Sequence, residues 1–203
     1  MARYNINDGS SGKIGSVVTY QMYGKSYVRS LPSQYKDKKS VKQLAQRQKM
    51  SLVNEFLSPY KDVLKICFQQ VASGCSAYAA AKSYNLLNSI YGEFPNQYID
   101  FTKALVSMGS VPLPTNTSIE RTHEGLLLQW SKEDSGSALD TLFMIANVRG
   151  QYIIEYKQTE ARRRDCSYLW KIDSFGNEKY DIWLVFRDYK ERGFSNSKYL
   201  GTI

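Results

Sequence analysis

Two short runs near the start of the chain, Val17-Val18-Thr19-Tyr20-Gln21-Met22 and Ser26-Tyr27-Val28-Arg29-Ser30, flank Tyr23-Gly24-Lys25. β-Branched and aromatic residues on both sides of a glycine-bearing turn predict a β-hairpin. The dozen residues before it are polar and glycine-containing and predict an extended arm. Leu31-Pro32 closes the second strand ahead of a basic stretch over 33–39. The period then changes. Val41, Leu44, Ala45, Leu52, Val53 and Phe56 recur at helical spacing, with Lys42, Gln46 and Lys49 on the polar side. Ser40 and Gln43 stand where a capping box would open this helix. Ser58-Pro59 predicts a break and a new start, since proline is welcome at the first helical position. The second helix uses Val63, Leu64, Ile66, Cys67 and Phe68; after Gly74, Ser76 opens a third through Ala77, Ala81, Tyr84, Leu87 and Ile90.

From Tyr98 the helical period disappears. The segment from Phe101 to Met108 reads as a strand or a short helix, with the strand favoured, and Val111-Pro112-Leu113-Pro114-Thr115-Asn116 as a proline-rich linker. Strand-like runs then recur between turn residues at Ser118–Arg121, Gly125–Trp130, Thr141–Val148, Tyr152–Tyr156, Cys166–Ile172, Tyr180–Phe186 and Lys198–Ile203. Seven short strands at this spacing predict a β-sandwich, with Asp181–Arg187 as its most apolar, central strand. The fold class is therefore α+β. Its expected organisation is a basic arm and hairpin over 1–39, a helical module over 40–97, a linker with a strand over 98–117 and a sandwich over 118–203.

The C-terminal block resembles a fibronectin type III or immunoglobulin-like sandwich. Leu126-Leu127-Leu128-Gln129-Trp130 is placed like a second strand with its core tryptophan. Tyr180-Asp181-Ile182-Trp183-Leu184-Val185 resembles a sixth strand begun by a tyrosine, and Ser195-Asn196-Ser197-Lys198-Tyr199-Leu200-Gly201 the serine-bearing entry to the last strand. Neither the second nor the sixth strand holds a cysteine, so an antibody-type disulfide is excluded. The N-terminal half is similar to a family of uncharacterised Bacteroidota proteins through Gly12-Lys13-Ile14-Gly15-Ser16-Val17-Val18, Gly24-Lys25-Ser26-Tyr27-Val28-Arg29-Ser30-Leu31-Pro32 and Gln43-Leu44-Ala45-Gln46-Arg47. That resemblance implies an architecture and carries over no functional residue.

Charge sharpens the picture. The 203 residues hold 27 Lys plus Arg against 19 Asp plus Glu, a net charge of +8. Residues 1–50 contain ten of the basic side chains and only Asp8 and Asp37 as acids, while the other 153 residues carry 17 of each sign and cancel. The whole imbalance belongs to the first quarter. Lys13, Lys25, Arg29, Lys36, Lys38, Lys39, Lys42, Arg47 and Lys49, with Tyr20 and Tyr27 between them, form the candidate partner-binding set. Cations interleaved with stacking rings suit phosphates and bases, and equally suit an acidic protein surface. Arg162-Arg163-Arg164, close to Glu155, Glu160 and Asp165, reads as a charged edge.

Candidate chemistry is thin. His123 is the sole histidine and sits in what reads as a hairpin turn, so a histidine-dependent triad or multi-histidine metal site has nothing to rest on. Glu133-Asp134 reads as a polar turn. Gly9-Ser10-Ser11-Gly12-Lys13 has two residues between its glycines where a phosphate loop needs four, and Ile14 follows the lysine. Gly12-Lys13-Ile14-Gly15 matches the G-x-x-G of a KH loop but precedes a strand where that loop joins two helices. Cys67, Cys75 and Cys166 form no C-x-x-C pair and read as free buried thiols of a reducing compartment. No apolar run approaches the roughly 18–20 residues of a membrane span. The amino terminus shows no signal-peptide pattern, which predicts cytoplasmic synthesis. The expectation is a non-enzymatic structural or assembly protein without cofactor, pairing with itself or other subunits of a phage-like or polymeric particle. The alternative is a nucleic-acid-binding protein using the basic N-terminal surface.

Overall fold

The computed structural model describes residues 11–33, 37–132, 136–171 and 178–203. The chain divides into two compact units, Met1–Ser40 and Val41–Ile203. The N-terminal unit is a three-stranded antiparallel sheet in the order β1 (Gly12–Ile14), β2 (Val17–Met22), β3 (Lys25–Ser30). The hairpin between β2 and β3 is the expected one. Its turn residues Tyr23 and Gly24 have φ of 51° and 73°, the two positive values that match a tight turn to the twist of paired strands. Strand β1 lies where the sequence predicted only an arm. Its three residues carry too little hydrophobic pattern to announce themselves, and they pair through the register Gly12↔Thr19, Lys13↔Val18 and Ile14↔Val17.

The larger unit opens with three helices, α1 (Val41–Leu57), α2 (Lys61–Cys67) and α3 (Ala77–Asn88), all where helical spacing placed them. Ser76 caps α3, its hydroxyl accepting from the Ala79 amide at 3.1 Å. A two-stranded ribbon follows, β4 (Ile90–Tyr91) with β5 (Tyr98–Ile99). The sandwich strands are β6 (Thr117–Thr122), β7 (Gly125–Trp130), β8 (Thr141–Val148), β9 (Ile154–Arg162), β10 (Ser167–Trp170), β11 (Tyr180–Arg187) and β12 (Lys198–Thr202). They form a three-stranded sheet, β10-β7-β6, and a four-stranded sheet, β12-β11-β8-β9. Strand β9 begins later and runs further than the sequence predicted. It is an edge strand with mostly exposed polar side chains, so only Thr159 of it is buried.

Side-chain alternation splits β8 and β11 between two cores. Leu142, Met144 and Ala146 of β8 with Ile182, Leu184 and Phe186 of β11 face the three-stranded sheet, meeting Leu126, Leu128 and Trp170. Phe143, Ile145, Trp183 and Val185 point the other way and pack under the helices with Leu57, Val63, Leu64 and Phe68. The central sheet is covered on both faces, which is why Ile182–Phe186 reads as an unbroken apolar run.

The expected strand over Phe101–Met108 is absent. The chain is irregular there, yet Ala104, Val106 and Ser107 are almost wholly buried. Side chains replace the ladder. Asn85 accepts from the Leu105 amide at 3.0 Å and donates to its carbonyl at 2.9 Å, Ser197 Oγ accepts from the Val106 amide at 2.9 Å, and Ser107 Oγ donates to the Ser195 carbonyl at 2.7 Å. The proline-containing segment is also tied down, through a bridge of Val111 to Ser195 and a bond from Arg163 to the Pro112 carbonyl.

Candidate functional site

Pairing in the N-terminal sheet decides which candidate side chains share a face. Tyr20 stands opposite Tyr27, Val18 opposite Arg29, Met22 opposite Lys25 and Lys13 opposite Val18. Because side chains alternate along each strand, Lys13, Val18, Tyr20, Met22, Lys25, Tyr27 and Arg29 all project from one face. The other face carries Gly12, Ile14, Val17, Thr19, Gln21, Ser26, Val28 and Ser30, with no charge on it. On the charged face the Tyr20 and Tyr27 rings stack with centroids 5.5 Å apart, and the Arg29 guanidinium lies 5.8 Å from the Tyr20 ring centre. Lys13, Lys25 and Arg29 make no ion pair among the described residues. Thr19 is the sole buried residue among those described in this unit.

The remaining basic candidates are not gathered there. Lys38 and Lys39 lie in the irregular segment before α1, with the Lys39 amide donating to Asp37 at 3.2 Å. Lys42 and Lys49 stand two turns apart on one side of α1, and Arg47 on another. Lys36 lies outside the described residues, as do Glu133-Asp134 and the Gly9-Ser10 start of the glycine-rich stretch.

The larger unit holds a cleft of about 460 Å³ that no motif announced. Its borders include Phe56 of α1, Tyr60 ahead of α2, Gln97 beside β5, Arg149 after β8, and Asp181 and Trp183 of β11. Trp183 donates its indole N–H to the Tyr60 hydroxyl at 3.1 Å, and its ring lies 6.0 Å from Phe56 and 5.0 Å from Tyr199. Asp181 is 5% exposed, and its Oδ1 accepts from the Tyr199 and Thr202 hydroxyls at 2.7 and 2.6 Å. No cation lies within ion-pair distance of it among the described residues. Burial pushes the Tyr199 phenol up to about 12, and the bond to Asp181 acts in the same direction. Burial likewise raises the Tyr60 hydroxyl above its ordinary range. Gln97 is 9% exposed, and its side-chain carbonyl has no hydrogen-bond partner among the described residues. Arg149 is exposed and donates to the Thr202 hydroxyl at 3.3 Å.

A model of a family of unknown function, DUF6266, matches residues 9–201. The chain belongs to that family. No curated protein matches it. The DUF6266 match spans the N-terminal sheet, the helices and the sandwich alike, so all three are parts of one family architecture.

Other candidates in this DUF6266 protein resolve plainly. His123 sits exposed in the β6–β7 turn beside Glu124, as its sequence setting implied. The Arg162–Arg164 cluster is not simply a charged edge. Arg163 is 2% exposed, with its Nε 3.4 Å from Asp140 Oδ2, its Nη2 donating to Pro112 at 2.5 Å and its guanidinium 4.3 Å from the Phe186 ring centre. The three cysteines are free, but only Cys67 is fully buried, and burial pushes its thiol up to about 12. Cys166 is in the left-handed conformation just before β10, outside the strand predicted for it. Among the described residues no cluster of three or more His, Cys, Asp or Glu is placed to hold a metal ion, and no helix is long and apolar enough to cross a membrane.

Proposed function

We propose that this protein is a non-enzymatic assembly subunit whose N-terminal sheet docks its basic, tyrosine-bearing face on an acidic surface of a neighbouring copy or another subunit. One observation carries the reading. Lys13, Tyr20, Lys25, Tyr27 and Arg29 share one face of a sheet that buries a single residue among those described. A small sheet with so little covered has little to hold it, and it gains stability by covering a face against a partner. We read the sandwich, with its three-plus-four strand order, as fibronectin type III-like and as an outer or spacer layer of a phage-like or polymeric particle. Fold likeness alone assigns no activity. The uncharacterised Bacteroidota proteins sharing the N-terminal motifs would assemble in the same way.

The test is the oligomeric state of the full chain by light scattering, compared with Lys25→Glu/Arg29→Glu on the basic face and Gln21→Glu/Ser26→Glu on the other. Assembly that is lost in the first variant and kept in the second supports the reading. A strict monomer at high concentration for all three overturns it.

The stacked tyrosine pair with Arg29 beside it favours one second reading, a platform for single-stranded nucleic acid. Mobility shifts at stepped salt separate the two. Each phosphate contact on duplex DNA contributes a log–log slope near about −0.9, and on single strands about −0.7. Binding that ignores salt, or the same binding by Lys25→Glu/Arg29→Glu, rules that platform out.

A further inference from the structure

We propose that the cleft of the larger unit binds an organic cation, a guanidinium or alkylammonium group, with Asp181 as counter-ion and the Gln97 carbonyl as hydrogen-bond acceptor. The inference is independent of the N-terminal face, which lies in the other unit.

Buried carboxylates are normally paired with a cation, because an isolated charge out of water is costly. Asp181, 5% exposed, instead has two neutral hydroxyl donors, both on Oδ1. Its Oδ2 accepts no hydrogen bond from a side chain of the described residues, and the Asp181 side chain borders the cleft. Gln97, nine-tenths buried on the same cleft, holds a carbonyl oxygen that no donor of the described residues reaches. A carboxylate without a cation beside it and an amide oxygen without a donor, both on residues bordering the cleft, suit a donor-rich ligand. The walls suit a cation. Phe56 and the exposed Tyr98 and Tyr152 border the cleft, and aromatic ring faces attract a cation and repel an anion.

Competing occupants fit less well. An anion would meet Asp181 and Glu55, both on the cleft border. A neutral apolar group would fill the space and leave both oxygens unmatched. A metal ion is usually held by several carboxylate, imidazole or thiolate ligands, and no group of three or more His, Cys, Asp or Glu is placed for one among the described residues. Arg149 also borders the cleft, exposed and bonded to the Thr202 hydroxyl, so it opposes an incoming cation at moderate strength. The volume of about 460 Å³ accommodates the end of an arginine or lysine side chain, and equally a free amine of that size.

The test titrates the full chain with N-acetyl-arginine methylamide, agmatine, tetramethylammonium and the neutral isostere N-acetyl-citrulline methylamide, followed by amide NMR shifts. Expected is saturable binding of the cations, with a dissociation constant on the order of 1 mM for one charged contact, and at least ~tenfold weaker binding of the citrulline compound. Asp181→Asn, which keeps an oxygen for Tyr199 and Thr202, should weaken every cation at least ~tenfold. Gln97→Leu should weaken the guanidinium ligands and spare tetramethylammonium, which has no N–H to donate. Arg149→Ala should tighten cation binding a few-fold. A preference for the capped arginine points to a protein side chain as the natural ligand, and a preference for agmatine to a free amine. Absence of saturable binding by any cation overturns the proposal. So does wild-type affinity in folded Asp181→Asn or, should that variant not fold, wild-type guanidinium affinity in Gln97→Leu.

Discussion

Replacing Asp140 by asparagine strips the charge from one side of a buried ion pair and leaves its shape almost unchanged. The Asp140 and Arg163 side chains are each 3% exposed, and Arg163 Nε lies 3.4 Å from Asp140 Oδ2. The carboxylate also accepts from the Ser137 amide at 3.0 Å and the Tyr189 amide at 3.3 Å. Removing one partner of such a pair costs about 3–5 kcal/mol, because the other charge stays buried without compensation. Arg163 keeps its bond to Pro112 and its position over Phe186, the latter worth about 0.5–2 kcal/mol, so the lower end applies. The expected loss is about 3 kcal/mol. At about 2–4 °C per kcal/mol for a unit of this size, the melting temperature should fall by about 6–12 °C. Thermal and urea unfolding followed by circular dichroism measure it. The double variant Asp140→Asn/Arg163→Met should recover much of the loss, giving a coupling free energy of at least about 1 kcal/mol. A single variant destabilised by less than about 1 kcal/mol, or single effects that simply add, would refute the view that this pair is a tightly desolvated one.

Three further outcomes follow from the geometry. Asn85→Ala removes the partner of both backbone groups of Leu105 and should cost about 2–3 kcal/mol in urea unfolding, whereas Asn88→Ala, exposed and bonded only to the Tyr84 carbonyl, should cost under about 0.5 kcal/mol. Cys67 should resist a thiol reagent at pH 8 in the folded chain and react after denaturation, with mass spectrometry counting the labels; folded-state labelling of Cys67 would contradict its burial. Folded Cys67 and Tyr199 hold their protons to about 12, while the unfolded chain releases them near 9.0 and 10.0. Stability from these groups is therefore complete below pH 9 and falls as pH rises towards 12, so melting temperatures flat from pH 8 to 11 would disprove it.

Much of the architecture was legible because one burial pattern dominates each element. Strands Gly125–Trp130 and Thr141–Val148 have the same bounds in sequence and structure, since their inward residues are bulky and their ends are marked by turn residues. Strand β9 is shorter in the sequence pattern than in the structure because an edge strand buries almost nothing and so writes little hydrophobic pattern. Phe101–Met108 suggests a strand in sequence because it is as apolar as one. What excludes a ladder there is Asn85, Ser195 and Ser197, side chains distant in sequence that take up its backbone groups. The basic face was half visible: alternation alone aligns Lys25, Tyr27 and Arg29, while Lys13 joins them only through a pairing that a three-residue polar strand does not advertise. The cleft was not visible at all. Gln97 reads as a loop amide and Asp181 as the polar start of an apolar strand, and only the fold brings both to the border of one cleft.

The doubly covered central sheet also sets a timetable for synthesis. The three helices are complete at Asn88, but Trp183 and Val185, which lie beneath them, belong to a strand that begins only at Tyr180. At about 5–20 residues per second, the ribosome takes roughly 5–20 s to supply that strand after the last helix. For that interval Leu57, Leu64 and Phe68 have no β11 to settle on, and Phe143 and Ile145 arrive before the strand that pairs with them. The nascent chain thus holds its helices in waiting with apolar faces uncovered. Its yield in a cell depends on how well they are shielded until β11 has been made.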